Sequence, residues 1–387
     1  MRSVSRQAHK LLMTICVLAP LMTATADPWA RDSASADHVL AESLVQLGQR
    51  LFFDTDLSIN RTQSCASCHD PARAFTDTRP NRVSAAASLG ADGKSLGDRN
   101  APSLTYAAYA PSLQEIEPGI HAGGQFWDGR ADNLQQQASS PLYNPAEMAL
   151  PDTSALRIRL MEKEFYQQAF SRLFSDDVFD KPDILDAAFA SAIVAFQRTD
   201  LFSTFDSRYD RYLRGEIQPT LQESIGMGLF FNNGFANCSH CHQLNSLPNS
   251  AGETFSNYRY ENIGLPVNRQ LRESNDKGVD YVDPGFMQQG RFKVPGLRNV
   301  AVTSPYMHNG IFRELRTVLL FYNKFNTSGG TSQINPETNE PWGEPEVDGN
   351  RDMVKLNAGI PLSTRHMDAI EAFLRMLTDQ RYEHLLP

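Results

Sequence analysis

Ser64-Cys65-Ala66-Ser67-Cys68-His69-Asp70 is the stretch on which the reading of the fold turns. Two cysteines at this spacing can add their sulfurs to the two vinyl groups of a haem, and the histidine beside the second is then placed to ligate the iron. A single C-x-x-C also serves zinc, thiol exchange or a disulfide. Here the motif recurs as Cys238-Ser239-His240-Cys241-His242, and the one cysteine left over, Cys16, falls in a segment expected to be removed. Every other cysteine is then consumed by two covalently bound haem c groups, attached through Cys65, Cys68, Cys238 and Cys241, with His69 and His242 as iron ligands. A Cys/His zinc site is the rival reading. His240, inside the second spacer, reads as a surface residue.

Upstream of the first motif, Arg2, Arg6 and Lys10 precede an apolar run, Leu11–Thr23, too short to span a bilayer comfortably. Ala24-Thr25-Ala26 has the small-x-small pattern of a cleavage site, so residues 1–26 are expected to be a signal peptide and the mature chain to start near Asp27. An uncleaved anchor is the alternative. Bacteria attach haem covalently outside the cytoplasm, so the periplasm is the expected location. The 387 residues carry a net charge of −9, and −12 once the three leader cations are lost. That sign disfavours nucleic acid and anionic membranes as partners and permits steering towards a basic one. No later apolar run is long enough to cross a membrane, so no membrane insertion is expected.

Helical periodicity dominates the rest. Leu40, Leu44, Leu47 and Leu51 predict an amphipathic helix just before the first motif, and Thr153–Phe174 and Lys181–Arg198 also read as helices. Val83–Gly97 is Gly/Ser/Ala-rich and reads as a long loop wrapping a haem edge. From Asp70 to Ile120 there is no histidine and no methionine. The first haem is therefore expected to keep an open distal face, with His121 or a distant residue as the alternative ligand. Trp127 reads as a core anchor or as an indole relay between two haems. Glu147, in a Pro-rich loop, reads as solvated unless it faces a haem; there it can take a proton from one peroxide oxygen and return it to the other. Gln137 can orient the oxidant or simply lie exposed on a helix.

Thr199–Gly215 reads as a connection, making two domains the natural count: 27–200 and 201–387. In the second half, Arg298 can meet a haem propionate or form a structural salt bridge. Leu315, Val318, Leu319 and Tyr322 share one helical face, where a tyrosine is ordinarily a core residue with a satisfied hydroxyl. Asn326–Gly359 reads as loop, and a last amphipathic helix carries Met367, Ile370, Phe373, Leu374 and Leu377 behind a Ser363 or Thr364 cap.

From Leu47-Gly48 to Arg381-Tyr382 these residues resemble the bacterial di-haem cytochrome c peroxidase superfamily, and within it the branch that completes the tryptophan tryptophylquinone of methylamine dehydrogenase. The pieces that carry the resemblance are Cys65–Thr76, Gly97–Leu104, Gly123–Arg130, Asn144–Met148, Phe292–Tyr322 and Asn335–Val347. It implies a mainly α-helical fold of two tandem c-type cytochrome domains. His69 would ligate the peroxide-reactive, high-spin haem and His242 the low-spin one. Tyr322, fourteen residues after His308, stands where ordinary family peroxidases have an axial methionine, so the resemblance reverses its core reading and makes it an iron ligand. Trp127 matches the tryptophan between the haems, Glu147 the distal acid–base, Gln137 and Pro141 the distal pocket. Asn100, Thr303 and Pro305 match a calcium site between the domains, a site of hard oxygen ligands.

A phenolate stabilises higher iron charge than a thioether does. The function implied is thus an oxidase using hydrogen peroxide, or dioxygen plus electrons, to oxidise tryptophans of precursor methylamine dehydrogenase or a related quinoprotein, through a stored two-haem Fe(IV) state. A peroxide scavenger fed by a small cytochrome or cupredoxin is the second reading, and a non-catalytic electron carrier the third. One departure stands out. The branch has a surface tryptophan two residues before the second motif, where this chain has Ala236 between Phe235 and Asn237.

Overall fold

The computed structural model describes residues 43–244, 252–274, 283, 285–287 and 289–387. The signal peptide, its cleavage site, Leu40 and Cys16 lie outside the described residues. Thirteen α-helices carry the fold among them. The first seven are α1 (Leu44–Phe53), α2 (Cys65–Cys68), α3 (Leu134–Ala138), α4 (Ser140–Tyr143), α5 (Thr153–Met161), α6 (Glu164–Leu173) and α7 (Pro182–Gln197). The rest are α8 (Arg208–Leu213), α9 (Leu221–Phe231), α10 (Arg269–Ser274), α11 (Leu315–Asn323), α12 (Met353–Leu356) and α13 (Thr364–Met376). Three antiparallel two-stranded pieces join them: β1 (Gln114–Glu117) with β2 (Ile120–Ala122), β3 (Tyr260–Glu261) with β4 (Phe292–Lys293), and β5 (Ile334–Asn335) with β6 (Glu340–Pro341). The expectation of a mainly helical chain holds.

Two hydrophobic cores are built the same way. In the first, Leu47, Leu51 and Phe52 of α1 are fully buried against α7, with Phe75 and Phe202 stacked 4.2 Å apart beside them. In the second, α9 lays Leu229 and Phe230 against Ile370, Phe373 and Leu374 of α13. Each such side chain contributes roughly 1.5–3 kcal/mol on burial. Both crossings need a glycine. A Cβ on Gly48 would overlap the Ala192 carbonyl and meet Phe196, and one on Gly226 would overlap the Ala369 carbonyl and meet Phe373.

Local signals set most helix ends. Ser43 caps α1 by accepting from Gln46 N, Thr220 and Glu223 form a capping box on α9, and Ser363 caps α13. The predicted helix over Thr153–Phe174 is in fact two, α5 and α6, parted at Glu162–Lys163. The Lys163 ammonium there pairs with Asp54 and Asp56 rather than continuing the helix face. The supposed connection Thr199–Gly215 contains α8, whose Ser207–Asp210 capping box starts it. Val83–Gly97 has no helix or strand, as read, and Ser363 is the cap of the last helix. No helix among the described residues is long and apolar enough to cross a membrane.

Candidate functional site

Each C-x-x-C-H motif is a single tight turn. Cys65–Cys68 is α2 itself, and Cys238–His240 is a 3₁₀ turn entered through Asn237 in the left-handed region (φ 57°). None of the four cysteines is in a disulfide. Burial pushes Cys65 up to about 12, Cys68 to about 11, and Cys238 and Cys241 to about 12. These desolvated surroundings accommodate a sulfur that is covalently bonded and neutral. Arg79, paired with Asp77, donates from Nη2 to the Cys68 sulfur at 3.2 Å.

The two histidines are held alike. His69 Nδ1 donates to the Phe75 carbonyl at 3.1 Å and His242 Nδ1 to the Phe255 carbonyl at 3.0 Å. Burial lowers the pKa of both, that of His242 to about 4. A neutral imidazole with its Nδ1–H so engaged presents the Nε2 lone pair to a metal.

A cavity of about 650 Å³ lies at the first motif, walled by Cys65, Cys68 and His69 together with Gln137, Pro141 and Glu147. Another of about 230 Å³ lies at the second, walled by Cys238, Cys241, His242 and Tyr322. Paired neutral thiols, an imidazole fixed in the ligating tautomer and an adjoining cavity fit a c-type haem at each motif. Glu147 accepts from Asn144 Nδ2 at 2.8 Å; burial raises its pKa, partly opposed by the Arg130 charge. Met148 and Met307 also line the larger cavity, both from outside the Asp70–Ile120 stretch. His121 lines neither cavity. It sits on β2 with its ring 5.2 Å from Phe286.

Tyr322 lies on the wall of the smaller cavity. Its phenol is half-buried there, desolvation raises its pKa, and among the described residues its hydroxyl takes no hydrogen-bond partner. Tyr106, Tyr143, Tyr166, Tyr258, Tyr260, Tyr306 and Tyr382 all bond through theirs. A phenol on a cavity wall with its hydroxyl uncommitted to protein partners suits a ligand held in that cavity.

Trp127 lines both cavities, and its indole N–H donates to the Asn100 carbonyl at 2.9 Å. Asn100, Thr303 and Pro305 share the wall of the larger cavity. Arg298 is also on that wall, but its guanidinium is engaged. It donates to Asp210 Oδ1 at 2.8 Å and also to Oδ2, to Ser207 Oγ at 3.2 Å and to the Glu253 carbonyl at 2.7 Å. Of the two readings of Arg298, the structural salt bridge is the one observed, leaving one of its five N–H groups for another acceptor. Ala236 lines the smaller cavity, Phe235 is exposed, and His240 is on the surface.

Sequence reasoning missed two features of these walls. His308 pairs with Glu346 at 2.8 Å at the smaller cavity, with Phe292 stacked on the imidazole at 3.4 Å. Lys293 lines both cavities, half-buried, with desolvation lowering its pKa to about 8. Both depend on residues brought together from distant segments, and no local pattern announces them.

The sequence model described as "Di-haem cytochrome c peroxidase" matches residues 42–218. The chain is 48% identical to the methylamine utilization protein MauG of Paracoccus denitrificans, over 97% of this chain and 98% of that protein. It is 31% identical to the cytochrome c551 peroxidase of Pseudomonas aeruginosa, over 72% of this chain and 70% of that one. Among solved structures, the diheme peroxidase BthA from Burkholderia thailandensis superposes with a TM-score of 0.77 at 32% identity, covering 90% of this chain and 89% of that one. Two haem-attachment turns on one helical scaffold and a likeness running through nearly the whole chain lead to one conclusion: the chain belongs to the di-haem cytochrome c peroxidase family, as a MauG-like di-haem oxidoreductase that acts on peroxide.

Proposed function

We propose that this enzyme takes oxidising equivalents from hydrogen peroxide at the first motif and draws the matching electrons from tryptophans of a separate protein, a precursor of methylamine dehydrogenase or a related quinoprotein. The observation that carries this reading is Tyr322, a half-buried phenol with no hydrogen-bond partner among the described residues, on the wall shared with Cys238, Cys241 and His242. A phenolate there favours the oxidised iron that an oxidase must hold, whereas an electron-accepting scavenger is served by a thioether. When bound, the two haems supply the redox chemistry.

The chain's own residues do the rest. His69 and His242 keep Nδ1–H on a backbone carbonyl and leave Nε2 for iron. Glu147 takes the proton from one peroxide oxygen and delivers it to the other, and its raised pKa brings that exchange nearer neutrality. Gln137 and Pro141 shape the same wall and orient the oxidant. Trp127, common to both cavities, relays charge between them. Cytochrome domains over 27–200 and 201–387, export of the chain to the periplasm behind a signal peptide over 1–26, and a calcium ion held by Asn100, Thr303 and Pro305 complete the proposal. The shared cavity wall of those three residues supports the calcium site.

The test is to mix peroxide-treated holoenzyme with precursor methylamine dehydrogenase and follow quinone absorbance. Growth of the quinone band is the expected result. The likeness to the cytochrome c551 peroxidase favours one rival, a scavenger fed by a small cytochrome or cupredoxin. Fast steady-state oxidation of reduced cytochrome c by peroxide, with no quinone formed, would establish that rival instead. Ala236, in place of an exit tryptophan, makes the partner itself part of this test.

A further inference from the structure

Tyr106 is 5% exposed, lines the cavity of the first motif and donates its hydroxyl to Asp379 Oδ1 at 2.6 Å. Asp379 is itself 1% exposed and comes from the far end of the chain. Its carboxylate is held from the other side by Asn299 Nδ2 at 2.9 Å, and Asn299 Oδ1 accepts from Asp379 N at 2.8 Å. Burial raises the pKa of Asp379 against the pull of these hydrogen bonds, making it a better base than an exposed aspartate. The phenol is also raised, by burial and by the Asp379 charge, so it does not ionise unaided. A phenol in this position gives up an electron readily only if its proton leaves at the same time, and a fixed acceptor is already in hydrogen-bond contact.

We propose that Tyr106 is a redox-active residue of this enzyme, donating an electron to the peroxide-oxidised first site while its phenolic proton passes to Asp379. The Tyr106 O–H bond breaks, an O–H bond forms on the Asp379 carboxylate, and one electron reduces an equivalent that peroxide has supplied. The product is a neutral tyrosyl radical hydrogen-bonded to a carboxylic acid. Tyr109, with its ring 6.2 Å from that of Tyr106 and only half-buried, gives the oxidation a route towards the surface. The pair thus drains oxidising power when no partner protein is docked, away from the route through Trp127. This rests on the first site being the peroxide-reactive one.

The experiment is freeze-quench EPR of the holoenzyme mixed with hydrogen peroxide and no partner, with haem absorbance followed alongside. The expected result is an organic radical signal that gains fluorine splitting when a ring-fluorinated tyrosine replaces residue 106 alone. That variant keeps the ring, the hydroxyl and its bond. The signal should disappear in Tyr106→Phe and weaken in Asp379→Asn, whose amide cannot take the proton. A haem response without the split signal, or a signal unchanged in Tyr106→Phe, overturns the proposal while leaving the peroxide chemistry standing. No haem response would overturn the first-site reading, and this proposal with it.

Discussion

Tyr322 follows Phe321 in α11, and the two rings lie only 5.8 Å apart, yet their environments differ. Phe321 is fully buried among Phe312 and Trp342, while Tyr322 lines the smaller cavity. Periodicity placed Tyr322 on an apolar stripe and could go no further, because a core tyrosine and a liganding one share the same helical spacing. Tyr322→Met is expected to raise the potential of the second haem by a good part of the roughly 0.8 V that axial ligands span, read by redox titration of its absorbance. Glu147 makes a second prediction. Its pKa is raised, so the carboxylate needed to accept the peroxide proton is lost as pH falls through a value above the ordinary glutamate range. The rate of haem oxidation by peroxide should therefore fall on that acid limb. Glu147→Gln should remove the limb and slow the reaction by about 10²–10⁴-fold, measured by stopped-flow absorbance.

The helices were the legible part of the chain. The α1, α7, α11 and α13 patterns announced themselves through i, i+3, i+4 spacing and through caps such as Ser363. The break between α5 and α6 did not, because the charged run Glu162-Lys163-Glu164 reads equally well as the solvated face of one helix, and the Lys163 ion pairs with Asp54 and Asp56 that mark the break are long-range. Nor did periodicity show why Gly48 and Gly226 stand inside helices, where glycine lowers helix propensity. The reason is tertiary: α1 crosses α7 and α9 crosses α13 so closely that a methyl group would enter the opposing backbone. Gly226→Ala should destabilise the second core by at least about 1–3 kcal/mol, the usual penalty of overpacking. The check is thermal unfolding of the holoprotein followed at the second haem's absorbance, where Gly228→Ala, with open space at its Cβ, should have little effect.

At the scale of the whole molecule, the two cores are joined by contacts no sequence pattern reveals. Tyr106 reaches Asp379, Arg313 reaches the carbonyls of Val83 and Ser84, and the Trp127 indole stands on the walls of both cavities. The haem turns, their histidines and the candidate distal residues were readable because their chemistry is local or their order along the chain is shared with relatives. The Arg298–Asp210 pair was half readable: an arginine amid apolar residues signals a buried partner but not which one. Burial raises the Asp210 pKa, but the hydrogen bonds and charge of Arg298 outweigh it and the net shift is downward. The pair thus contributes stability that is present above the unfolded carboxylate pKa and lost as pH falls through the lower folded value. Asp210→Ala strands a buried guanidinium and should cost about 3–5 kcal/mol near neutrality, with the deficit shrinking in acid, as thermal unfolding across pH would show.

The most direct test of the account is EPR of the resting ferric holoenzyme, wild type and Tyr322→Met. The account predicts one high-spin haem, open on its distal face beside Glu147, and one low-spin haem whose signal alone changes when Tyr322 is replaced. Two low-spin haems in the wild type, with Met148 or Met307 closing the first site, would contradict it, as would a low-spin signal indifferent to the loss of the Tyr322 phenol.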